Sequence, residues 1–186
     1  MSTGASSSTF VNCVFSGNKS LGRNGVIRPK GQSRFVNCSL TGNEAGTLGG
    51  ITILFNPDSI SLDNCVIWGN SASTANDIYV NNGSASANYS LFNPSESSGT
   101  ISGSNNVNSD PLFVDANGAT NVKGTLDDNL TLQSNSPAIN QGSSSVANYS
   151  SVDLNGRIRD ANPDMGAYEY SSNAVSYTHL TLPTKA

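Results

Sequence analysis

The residues able to do chemistry in this chain are few: three cysteines, one histidine, and a thin scatter of carboxylates and bases. Acid–base, triad and zinc chemistry all lean on histidine. The sole histidine, His179, sits in a terminal string, Val175 to Thr184, whose composition breaks from the rest of the chain. Among the acids, Asp58, Asp63 and Asp77 fall within successive stretches, with Arg23, Arg28 and Lys30 as neighbouring bases. A polysaccharide lyase would need such acids and a base on one face. A hydrolase would need two carboxylates at a set separation. These residues occupy unlike places within the sequence period, so the expectation is solvated turn charges and no catalytic residue.

The other candidates are weaker still. Asp153-x-Asn155-Gly156 has the start of a calcium loop, but Arg157 stands at a ligand position and the closing Glu is missing. A turn closed by the Asp153 side chain explains it better. Asp164 and Glu169 are expected to pair with Arg157 or Arg159 rather than hold a cation, so neither metal nor cofactor is expected. Three aromatics, Trp68, Tyr79 and Tyr89, could present a carbohydrate-binding face. Trp68 leads, because its counterparts in the period are Ser16 and Thr41 and its parity opposes that of Ile67.

The elements that would position these groups follow from a repeat. Phe10-Val11-Asn12-Cys13-Val14-Phe15-Ser16-Gly17-Asn18 aligns without gaps on residues 35–43 and 62–70, and residues 87–92 form a weaker fourth copy. The Asn positions 12, 37, 64 and 88 are 25, 27 and 24 residues apart. A period of that length marks a solenoid, whose repeats bury their apolar sides only by stacking.

Inside each copy the apolar positions change parity. Phe10, Phe35 and Leu62 precede a cysteine by three residues, and that cysteine precedes Phe15, Leu40 or Ile67 by two. A flat strand keeps one face at even spacings only. All three can point inward if the chain bends at Asn12, Asn37 and Asn64, and Asn tolerates the left-handed conformation a bend requires. Gly17-Asn18, Gly42-Asn43 and Gly69-Asn70 would form the next corner. Further β-type runs lie at Val26-Ile27, Ile51-Thr52-Ile53-Leu54 and Ile78-Tyr79-Val80.

The expected fold is all-β: a right-handed parallel β-helix with coils of about 24–27 residues and an irregular C-terminal β cap. Residues 1–100 would hold the coils and 101–173 the distal coils and cap of the same domain. Cys13, Cys38 and Cys65 would then form a ladder inside the core. Stacked side chains point the same way at about the 4.8 Å rung spacing, whereas a disulfide brings Cβ atoms to about 3.8 Å. Free thiols behaving as small hydrophobes are therefore expected.

Composition bounds the partners. Only 12% of the residues are charged and the net charge is −4, with no basic stripe to neutralise phosphates, which excludes nucleic acid. No apolar run approaches the roughly 20 residues that cross a bilayer, so no direct membrane insertion is expected. Met1 is followed by no leader pattern, and the first repeat begins at Phe10, so the chain reads as a monomeric piece of a longer one. The string from Val175 resembles one reading frame of a transposon end used in sequencing libraries. Residues 174–186 are therefore expected to be a non-native tail on a metagenomic fragment.

The Asn-Cys-x-apolar-x-Gly-Asn coils resemble bacterial surface β-helix proteins, including the polymorphic outer-membrane type. The distal half adds Asp110-Pro111-Leu112-Phe113, Leu130-Thr131-Leu132, Ser136-Pro137-Ala138-Ile139-Asn140-Gln141-Gly142, Asp153-Leu154-Asn155-Gly156-Arg157 and Asp164-Met165-Gly166-Ala167-Tyr168-Glu169. In that order these are similar to the choice-of-anchor Q domain, although Asn140 stands where that family has Asp. The resemblance implies export and a secreted or cell-surface setting. It assigns no catalytic residue. The expected role is structural, adhesive or display, with a polysaccharide or a host or cell-surface glycan as partner. The alternative is a carbohydrate-active β-helix.

Overall fold

The computed structural model describes residues 7–22, 25–53 and 58–171. Arg23, Leu54, His179 and the whole 174–186 tail lie outside the described residues.

The first coil runs through β1 (Ser7–Val11), β2 (Val14–Ser16) and β3 (Lys19–Ser20). The second has β4 (Gln32–Val36), β5 (Ser39–Thr41), β6 (Glu44–Ala45) and β7 (Ile51–Ile53). The third has β8 (Ser59–Asp63), β9 (Val66–Trp68) and β10 (Ile78–Val80). Then come β11 (Ser84–Asn88), β12 (Leu91–Phe92) and β13 (Ile101–Ser102). Strands stack in parallel, in the orders β1-β4-β8-β11-β13, β2-β5-β9-β12 and β7-β10. The fold is a β-solenoid of about three turns, nearly all β.

The corners form for the reasons the repeat suggests. Asn12, Asn37 and Asn64 take φ of 51°, 51° and 53°, and Gly17, Gly42 and Gly69 take 62°, 64° and 67°. Each left-handed residue reverses side-chain parity, so Phe35, Cys38 and Leu40 all face inward, above Leu62, Cys65 and Ile67. Phe10 stacks on Phe35 with ring centroids 4.8 Å apart. Burying each large side chain of this ladder contributes roughly 1.5–3 kcal/mol. The three cysteines are free thiols. Burial pushes the Cys65 thiol well up, which keeps it protonated and unreactive.

Residues 87–92 stack on 62–67 as the fourth copy, but the corner falls at Tyr89, one residue after Asn88. Asn88 pairs with Asp63, 25 residues earlier, and Tyr89 takes the corner with φ of 49°. The register is fixed by Ala85 and Ala87 facing inward beside Ile60 and Leu62. Ser90 replaces the cysteine, and its hydroxyl donates to the Leu62 carbonyl at 3.2 Å and accepts from the Cys65 N–H at 3.0 Å.

The distal block departs from expectation. It includes β14 (Phe113–Asp115) and β15 (Asn129–Leu132), an antiparallel pair. Rather than closing the end of the helix, it lies along the flank as a strap. Val14, Val66 and Leu91 point outward from the second sheet, and they pack with Phe113, Leu130, Leu132, Ala138 and Met165 in a second core. Bare apolar groups on an outward face need cover, and the strap supplies it.

Polar bonds fix the strap to three successive coils. Asn12 Nδ2 donates to the Val152 carbonyl at 2.6 Å. The Ala167 N–H donates to Ser39 Oγ at 3.0 Å. The Asn64 amide exchanges two bonds with Ser143, at 2.9 and 2.8 Å. Asn37, between the anchoring asparagines, has the same backbone, but its buried side-chain amide makes no hydrogen bond to the described protein.

Candidate functional site

The strap holds the most connected charges, and they are structural. Arg159 is sealed from solvent; its Nη1 meets Glu169 Oε2 at 3.1 Å. Its Nη2 donates to the Gly166 carbonyl and to Asn12 Oδ1, at 2.9 and 3.2 Å. Glu169 Oε2 also accepts the Asp164 N–H. Asp164 accepts backbone N–H groups from Asn140 and Tyr170 and is not ion-paired with either arginine. Burial raises the carboxyls of Asp164 and Glu169. Asp153 Oδ1 accepts the N–H groups of Asn155 and Arg157, each at 2.8 Å, which is the turn expected of that motif.

The scattered acids do not converge. Asp58 Oδ1 accepts the Gly31 N–H at 2.7 Å and so fastens one coil's turn to the one before it. Asp63 meets Arg34 at 2.6 Å and also accepts from Ser61 and Asn88. Lys30 is exposed at the turn ahead of β4.

Asp77 is different, and the corner asparagines explain its placement. Asn43 Oδ1 accepts from the backbone and side chain of Asn18, and Asn70 Oδ1 accepts likewise from Asn43. The ladder ends where Asn70 Nδ2 donates to Asp77 Oδ1 at 2.8 Å. Asp77 is only 2% exposed, and burial, opposed by the Asn70 bonds and reinforced by the Glu96 charge, pushes its pKa up to about 7. A stacked amide ladder thus delivers a carboxyl to the wall of a cavity.

That cavity, of about 260 Å³, is lined by Trp68, Asn70, Asn76, Asp77, Asn93 and Glu96. Trp68 reaches it from the outward face of β9, since Ile67 takes the inward direction. Asn93 and Glu96 come from the next coil, at the 3-10 turn Pro94–Glu96, where Asn93 Oδ1 caps the Ser95 N–H. Asn76 Nδ2 donates to Glu96 Oε2, which leaves Oε1 without a partner among the described residues.

Trp68 and Tyr89 are both half-buried at the edge of the second core, while Tyr79 sits on the β7-β10 sheet. The three aromatics therefore form no common platform. Trp68 alone lines a cavity, and its companion Glu96 gave no sequence signal, because it meets Asp77 only across a change of coil. A second groove, of about 410 Å³, runs over the outer face of the five-stranded sheet. Ser7, Thr9, Gln32, Ser61, Ser86 and Arg34 line it.

Among the described residues no cluster of three or more metal-ligating side chains occurs, and no helix is long and apolar enough to cross a membrane. No protein-family profile, no curated protein and no solved structure matches this chain.

Proposed function

We propose that the chain is a non-catalytic module of a secreted or cell-surface protein, a stiff β-solenoid serving as an adhesive or display arm. One observation carries the reading: the candidate acids outside the Trp68 cavity are spent on structure. Asp58, Asp63, Asp153 and Glu169 each bind a backbone N–H or an arginine that the fold needs. The ordered distal motifs that resemble the choice-of-anchor Q domain support the surface setting, with an anchor of bacterial type as the finer form of the proposal. A carbohydrate-active reading is favoured by the Asp77 and Glu96 carboxyls beside Trp68.

The test incubates the full chain with a panel of acidic, neutral and amine-bearing polysaccharides and reads co-sedimentation and newly formed sugar ends. Co-sedimentation without new ends is the expected result. New ends that vanish in Asp77→Asn or Glu96→Gln would overturn the non-catalytic reading.

A further inference from the structure

We propose that the cavity beside Trp68 binds a protonated amino sugar, with the ring against the indole, the ammonium on the Glu96 carboxylate and a hydroxyl on the Asn93 amide nitrogen. The inference rests on the adhesive form of the reading above and names its ligand class.

The lining carries the argument. Compact sugar sites pair an aromatic face with a few convergent polar groups in a concave surface, and this lining has one indole, three amides and two carboxyls. The polar groups are not all occupied within the protein. Glu96 Oε1 and the Asn93 side-chain nitrogen have no hydrogen-bond partner among the described residues, whereas Asn93 Oδ1 is used at the turn. The Glu96 carboxyl, with no Lys or Arg in the lining, gives the cavity negative character. Indole attracts cations as well as apolar ring faces. A neutral sugar would use the indole and leave the charge unanswered; an ammonium uses both.

Asp77 is nearly sealed and already takes the Asn70 amide, so Glu96, half-buried, is the anchor for the ammonium. A competing cation is Lys123, whose Nζ donates to the carbonyl of Gly69, a residue of the lining, at 3.2 Å. The serine-lined groove on the five-stranded sheet lacks both features: no aromatic lines it, and its one charge, Arg34, is paired with Asp63.

The chain has a single tryptophan, so its fluorescence reports this cavity directly. The full chain is titrated with glucosamine and short β-linked glucosamine oligomers, alongside their N-acetylated forms, neutral glucose oligomers and ethylenediamine. A saturable change with the free-amine sugars is expected, at least tenfold weaker with the N-acetylated and neutral oligomers. Glu96→Gln should weaken it tenfold or more with unchanged circular dichroism, and Lys123→Gln should strengthen it by removing a competing charge. Equal response to N-acetylated or neutral oligomers, or to ethylenediamine, overturns the ligand class. No response to any sugar, confirmed by calorimetry, overturns the site and leaves the non-catalytic module standing. Cleavage of the bound oligomer overturns the latter and leaves the site.

Discussion

Replacing Asp77 by Asn should stabilise the protein, and increasingly so as pH rises. Asp77 is buried and its pKa stands at about 7 against an ordinary 3.8. The fold therefore holds this proton more tightly than the unfolded chain does. The associated stability is fully present below about pH 4 and is lost as pH rises through 7. At about 1.4 kcal/mol per tenfold change, the full loss is about 4 kcal/mol. Asn is nearly isosteric, does not titrate, and keeps an oxygen to accept the Asn70 amide now bound at 2.8 Å. Urea unfolding of both proteins at pH 4, 6 and 8 isolates the effect, because every other titrating group is shared. The variant's advantage should grow by several kcal/mol from pH 4 to pH 8, most of it before pH 7. Parallel stability curves would refute the assignment of a retained proton to this carboxyl.

Three further outcomes test the strap and the core. Asn64→Gly keeps the left-handed backbone but loses both bonds to Ser143, so it should cost about 1–3 kcal/mol; Asn37→Gly, which removes no such bond, should cost clearly less in the same denaturant titration. Arg159→Met leaves Glu169 buried without its cation and should cost about 3–5 kcal/mol, with Arg159→Met/Glu169→Leu recovering part of that loss in a double-mutant cycle. With a thiol-reactive disulfide reagent, native protein should expose at most Cys13, slowly, and denaturant should release Cys38 and Cys65, both fully buried in the fold.

The sequence made the coils legible because identical residues stack on identical residues. Asn over Asn and Cys over Cys state both the bend and its register, and the left-handed asparagines stand where the parity change requires them. In the fourth coil the corner is hard to place because Tyr89 and Ser90 take the roles of Asn and Cys while Asn88 stands one residue before the bend. The strap's position was hidden for a different reason. Its partners on the coils lie 54 to 147 residues away, and many of its bonds use backbone groups that carry no residue signature. One signal was present: Val14, Val66 and Leu91 are apolar at outward parity, which is costly on a solvated face. Trp68 could be singled out by its odd place in the repeat, but Glu96, from the following coil, could not.

The strap also changes how this solenoid can come apart. A plain stack of coils behaves as a one-dimensional chain of neighbours, and its ends can peel away one repeat at a time. Here the first coil is tied at Asn12 to Val152 and Arg159, so the earliest and latest parts of the described chain close into a circuit. Peeling the first coil must also break contacts made by the last segment. Fraying should give way to a single all-or-none transition, and a force drawing the first coil away would meet the strap's bonds together rather than one rung at a time. The same circuit delays assembly, since the first coil is fastened only once some 140 later residues are in place. A protein built this way trades speed of folding for resistance to unravelling.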